Sequence, residues 1–184
     1  MQRAMQSVLV VLFALSTAGP GVVGAQRAPT EPLPATYIVT EDIQAAMNQA
    51  PQAAVNPQPN IHVVDAGGYN VAVGALHRPQ TPPGVAALHF KVTEVYQVLK
   101  GAGTLVTGGT LVNAKTRAAD SVEVTQEDGP GASGTAIQGG VSRRIKAGDV
   151  VIIPAGTPHW FSKIEGSISY VVVRIDPGRI LTPR

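Results

Sequence analysis

The sequence predicts an all-β fold, a sandwich or barrel of short strands. Three observations carry this. Glycine and proline are abundant, 20 and 15 of 184 residues, well above the usual share of about 12%, so turns must be frequent. From residue 61 onward apolar side chains recur with period two, as where Tyr69, Val71, Val73 and Ala75 share one parity. The runs between turns are short and β-branched, as in Val150-Val151-Ile152-Ile153. Hydrophobic residues make up 44% of the chain but aromatics only 4%. Valine, isoleucine, leucine and alanine must therefore fill the core of what the length suggests is one domain.

The first residues read as a leader rather than as part of this fold. Arg3 supplies a positive start, Val8 to Ala18 is apolar but too short to span a bilayer, and Val23-Gly24-Ala25 offers small residues for cleavage before Gln26. Residues 1–25 are thus expected to be a signal peptide, which puts the protein in the periplasm or outside the cell, with no membrane span after cleavage. Losing Arg3 takes the formal charge from +2 to about +1. Such a balance gives no electrostatic case for nucleic acid or an anionic membrane as partner. The chain has no cysteine, which excludes disulfides and a catalytic thiol.

Residues 26–60 are expected to form an N-terminal arm with a short helix. Pro29, Pro32 and Pro34 suit an extended segment, and Tyr37 to Val39 a short strand. Thr40 reads as an N-cap, with Glu41 and Asp42 in the favourable first turn. Ile43, Ala46, Met47 and Ala50 recur at helical spacing until Pro51. The barrel is expected over residues 61–176. Its strand candidates are 61–65, 69–77, 85–91, 94–100, 104–106, 135–145, 150–153, 159–164 and 168–175, separated by glycine- and proline-bearing turns. The polar, glycine-rich piece 126–134 reads as an exposed loop, and 177–184 as a short tail.

The most informative stretch is Gly148 to His159. Gly148-Asp149 has turn chemistry. Val150 to Ile153 is a strand with a buried face, and Pro154, unable to donate to a ladder, stops its pairing. Gly156 lets the chain fold back and Pro158 stiffens it. His159 is thereby fixed at the start of the next strand. Only His62, His77, His89 and His159 are available as imidazoles. In a strand, Ala87, His89 and Lys91 share one face, and Glu94, Tyr96 and Val98 share a face of the next. If His89 points into a barrel, Glu94 can join it across the turn and His159 can come from a facing strand. Two imidazoles and a carboxylate suit Fe, Mn, Zn or Ni without selecting among them.

Gly148-x5-Pro154-x-Gly156-x2-His159 resembles the second motif of the cupin superfamily. His89-x4-Glu94-x6-Gly101 resembles the first motif from its second histidine onward. Two positions depart: Ala87 stands where the family usually has a further histidine, and Lys163 where it has an asparagine. The resemblance covers about residues 61–176. The runs Val92 to Leu99 and Gly156 to Phe161 are similar to those of small, single-domain, exported bacterial cupins. It implies a jelly-roll β-barrel, a divalent metal ion held by His89, Glu94 and His159, and a small-molecule substrate or ligand for an oxygenase- or isomerase-like reaction left unassigned. No catalytic general base or nucleophile can be named, and whether the chain is an enzyme stays open.

Two alternatives stand beside this. Ala87, with Lys91 and Lys163, motivates a metal-free cupin module that binds a small anion or sugar, although both lysines more readily reach solvent at strand ends. An arm-exchanged homodimer is the third, with residues 26–39 adding a strand to a neighbour. His62 and His77 lack ligand spacing and read as surface or core residues. Arg143, Arg144 and Lys146 read as a solvated strand face, Tyr96 and Trp160 as packing, and Phe161, sharing the parity of His159, as a pocket wall.

Overall fold

The computed structural model describes residues 32–49, 59–80 and 84–184. The leader, the start of the arm, the segment after the helix and the Pro82-Pro83 loop lie outside the described residues, so the expectation for 1–25 is not addressed by them.

Among the described residues one helix precedes the strands, α1 (Thr40–Gln49). Thr40 opens this helix instead of capping it. Asp42 reaches back to accept a hydrogen bond from the Val39 N–H at 3.4 Å, so the cap works from inside the first turn. Tyr37 to Val39 form no strand, having no neighbour to pair with.

Among the described residues eleven strands follow: β1 (Asn60–Asp65), β2 (Asn70–Pro79), β3 (Ala86–His89), β4 (Thr93–Thr107), β5 (Thr110–Val112), β6 (Lys115–Thr116), β7 (Gly131–Gly134), β8 (Ala136–Gln138), β9 (Val141–Lys146), β10 (Val150–Ile153) and β11 (His159–Asp176). Every pairing is antiparallel. The all-β jelly-roll expectation holds.

Two pairs of expected strands are each one long strand. The candidates 94–100 and 104–106 are both β4, and 159–164 and 168–175 are both β11. Glycine signals a break in sequence but here makes a bend. At Gly101 φ is +78°, and a Cβ there would stand 1.9 Å from the Ser167 carbonyl oxygen. Only glycine fits this close approach. The β4–β11 pairing shifts register nearby, between Glu165 and Ile168, and such bulges bend a ribbon without ending it.

This bent β4–β11 ribbon organises the barrel. Its two ends pair with different sets of strands of one continuous nine-stranded sheet. The start of β4 and the end of β11 lie between β10 on one side and β2 and β1 on the other. The end of β4 and the start of β11 lie between β9 and the β3–β7–β6 group. Leu76, Tyr96, Val98, Leu105, Ile145, Ile153, Phe161, Ile168, Tyr170 and Val172 pack inside the barrel as one buried cluster. Burying an aliphatic side chain of this size contributes roughly 1.5–3 kcal/mol.

Two further expectations are corrected. The piece 126–134 is not an exposed loop. It follows a π-helical turn, Glu123–Glu127, contains β7, and buries Glu127, Asp128 and Ala132. Asp128 faces the buried Arg174 and Arg117, which composition cannot reveal. The tail is docked rather than loose: Leu181 is fully buried, and Arg184 exchanges backbone hydrogen bonds with Val63 at 3.0 and 3.2 Å.

Candidate metal centre

The curl of the β4–β11 ribbon brings His159, at the first residue of β11, against Glu94, near the start of β4. His89 joins them from the end of β3. All three are at least 95% buried. The loop that delivers His159 is pinned to the strands carrying the other two. Gly156 N–H donates to the His89 carbonyl at 2.7 Å, Ala155 N–H to Thr93 Oγ1 at 3.2 Å, and Gly108 N–H to the Pro158 carbonyl at 2.9 Å. Here the rigid turn read from sequence has its physical purpose.

Glu94 Oε2 lies 3.4 Å from His89 Nε2 and 3.3 Å from His159 Nε2. One ligand atom from each of the three residues lies within 4.8 Å of the others. The two carboxylate–imidazole separations fit a shared cation. Two atoms each about 2.0–2.1 Å from one ion, at angles between octahedral and tetrahedral, stand roughly 3.0–3.4 Å apart. His159 is also oriented for ligation, because Nδ1 donates to the Thr157 carbonyl at 3.2 Å and so leaves Nε2 its lone pair. The residues present fit a divalent ion.

Ala87 occupies the remaining wall. It pairs directly with His159 across β3 and β11, and opposed residues of an antiparallel pair point to the same face. Its methyl group therefore faces the side on which His159 ligates, and supplies no donor.

The second set of contacts around the triad was not read from the sequence. Arg174 is fully buried, pairs opposite Glu94, and donates from Nε to Glu94 Oε1 at 2.9 Å. Its Nη2 contacts Asp128 Oδ1 at 2.8 Å, and its Nη1 donates to Asn60 Oδ1 at 2.6 Å. Tyr96 donates its hydroxyl to Glu94 Oε2 at 2.9 Å, so it is more than packing. Arg117 Nη1 stands 3.3 Å from His89 Nδ1 and 3.8 Å from Asp128 Oδ2. Gly131 lies beside it, and a Cβ there would stand 2.1 Å from the Leu88 carbonyl oxygen and 3.0 Å from that nitrogen. A signal for Arg174 did exist: it shares the inward parity of Tyr170 and Val172 within an otherwise β-branched run. Asp128 and Arg117 sit in polar loops and gave none.

Burial by itself would raise the Glu94 pKa. Interaction with His89, and then with Arg174 and His159, outweighs it and holds the carboxyl well below its ordinary range. Tyr96 is pushed well above the ordinary phenol value by burial and then by the Glu94 charge, so it stays a donor.

The other candidates lie elsewhere. His77 Nδ1 meets Ser169 Oγ at 2.8 Å, and His62 lines an outer cleft with Leu33, Pro34 and Ile38 of the arm. Lys91, Lys163, Arg143, Arg144 and Lys146 are exposed. Neither lysine faces the barrel interior, which removes that part of the case for an anion module. Trp160 donates to the Gly84 carbonyl at 2.7 Å, while Phe161 is buried with its ring 5.7 Å from that of Tyr170.

No family model matches the sequence, and no curated protein matches it. Solved structures are similar at low identity. A conserved protein with a double-stranded β-helix domain from Klebsiella pneumoniae is 15% identical, covering 79% of this chain and 94% of its own, with a TM-score of 0.42. Hydroquinone 1,2-dioxygenase from Sphingomonas sp. TTNP3, with 4-hydroxybenzoate bound, is 15% identical over 71% and 74% of the two chains, with a TM-score of 0.42. A predicted oxalate decarboxylase from Thermotoga maritima is 17% identical over 62% and 76%, with a TM-score of 0.35. In this chain the curl of the β4–β11 ribbon makes an all-β barrel inside which His89, Glu94 and His159 converge.

Proposed function

We propose that this is an exported cupin-fold protein that holds one divalent metal ion on His89, Glu94 and His159 and acts on a small molecule beside it. The observation that carries the reading is the convergence of three ligand atoms, with 3.3 and 3.4 Å between carboxylate and imidazoles. When bound, such an ion supplies Lewis-acid or redox chemistry, with positions left for a ligand because Ala87 adds no donor. The chain's own residues hold that site in shape. Arg174 and Tyr96 fix the Glu94 carboxylate, and the Thr157 carbonyl fixes the His159 ring.

One contact favours a second reading, a metal-free binding module. Arg117 can only donate, so its approach to His89 Nδ1 suits an imidazole whose proton is on Nε2. Such an imidazole has no lone pair for an ion. Metal binding would require Arg117 to turn toward Asp128.

Elemental analysis of the purified full chain, expressed without a metal-binding tag, separates the two. The expected result is about one equivalent of Fe, Mn, Zn or Ni per chain, lost in His89→Ala and in His159→Ala. No bound metal, even after incubation with each ion, would overturn the first reading and leave the second.

A further inference from the structure

The lysines do not face inward, but an arginine does. Arg78 sits on β2 at the same parity as Leu76, a member of the buried core, and pairs opposite Ile168. It therefore points into the barrel. Its Nε donates to the Tyr170 hydroxyl at 2.7 Å, and its guanidinium carbon lies 5.8 Å from the centre of the Tyr170 ring. Among the described residues Arg78 makes no other side-chain hydrogen bond and no ion pair. Arg117, Arg144, Arg174 and Arg179 each have a carboxylate partner. The Nη nitrogens of Arg78 are not among the sealed, unpartnered atoms, and the residue is partly exposed, so they reach solvent.

Arg78 belongs to the same interior wall as the candidate metal centre. The Tyr170 ring packs on Tyr96 at 4.6 Å, the Tyr96 ring meets that of His159 at 6.2 Å, and the Tyr96 hydroxyl bonds to Glu94. A guanidinium pointing into a barrel with no carboxylate within ion-pair distance, feeling Asp128 only from farther off, fixed at one nitrogen and open at two others, is a fork for a planar anion. We propose that Arg78 is the anchor for the carboxylate of a small-molecule ligand, whose remaining atoms lie along the tyrosine wall toward His159. This deepens the small-molecule reading above by naming the ligand class, and its test does not depend on the metal.

The experiment follows the Arg78 side-chain N–H signals by NMR in the full chain, both as purified and after dialysis against a chelator. The probes are acetate and benzoate, with acetamide and benzamide as neutral counterparts and inorganic phosphate as the tetrahedral anion. Saturable shifts at Arg78 with the carboxylates, absent with the amides and present without metal, are expected. Arg78→Met should weaken benzoate binding about 10- to 100-fold. Arg78→Lys, which keeps the charge and guards against a folding defect, should lose most of the same affinity because it lacks the fork. An Arg78 signal that stays still with both carboxylates, responds equally to the amides, or responds only to phosphate would overturn the proposal. Failure of the metal analysis would leave it standing, because the chelated protein reports Arg78 alone.

Discussion

Ala87 and Arg174 show how single residues shape this site in opposite ways. Ala87 removes a donor at a position whose backbone still points inward. Ala87→His should therefore tighten metal binding by at least about tenfold, since even outer partners of a metal site change affinity by roughly 10–100-fold. Competition against a chromogenic chelator measures this, and unchanged affinity would mean that the position does not face the ion. Arg174 does the reverse. It is a fully buried cation between Glu94 and Asp128, and its removal strips Glu94 of its arginine and leaves Asp128 only Arg117, 3.8 Å away. Arg174→Met should cost about 3–5 kcal/mol, the usual penalty for breaking a buried ionic group from one side, read from urea unfolding. Loss of less than about 1 kcal/mol would show that water reaches the pair. Of these residues, His89, Glu94 and His159 were legible because motif spacing isolates them. Arg117 and Asp128 were not, because their partners are distant in sequence and polar loop composition resembles solvent-facing composition.

At the scale of elements, the instructive case is the tail. Leu181 is fully buried near Val63 and Ala72, and its N–H donates to Asp176 at 2.8 Å. Asn70 donates to its carbonyl at 2.8 Å. The residues after Asp176 thus close one side of the barrel wall at β1. Leu181→Ala should destabilise the protein by about 2–4 kcal/mol, in the range for a buried leucine truncated to a methyl group. Thermal and denaturant unfolding check this, and a change under about 0.5 kcal/mol would mean that the tail is dispensable. Gly101 and the bulges in β11 carry the same lesson for the ribbon. Glycine marks a place where the chain changes course, but only the partner strand decides whether it ends a strand or bends one.

For the whole molecule, stability is expected to reside in the barrel and not in the residues before it. α1 has no buried residue, whereas the ribbon of β4 and β11 contributes most of the core cluster, namely Tyr96, Val98, Leu105, Phe161, Ile168, Tyr170 and Val172. Deleting residues 1–58 should leave a folded barrel with its melting temperature lowered by no more than about 4–8 °C, the effect of about 1 kcal/mol in a domain near this size. Circular dichroism of the truncated chain decides it. Loss of cooperative unfolding would show that the arm and helix cover an essential face. The same truncated chain tests the arm-exchanged dimer by its mass in solution.

The sequence by itself determined that the chain is all-β, where most of its turns fall, and which three residues converge inside it. Those properties depend on neighbours along the chain: side-chain parity, β-branching, turn geometry and motif spacing. Only the tertiary structure decided that four strand candidates are two long strands, that a polar segment lies buried, and that Arg174, Tyr96, Arg117 and Arg78 surround the site. Each of these depends on which residues meet across the curl of the barrel. Glu94 and Arg174 are 80 residues apart in the chain and 2.9 Å apart in space, and local sequence carries no record of that distance.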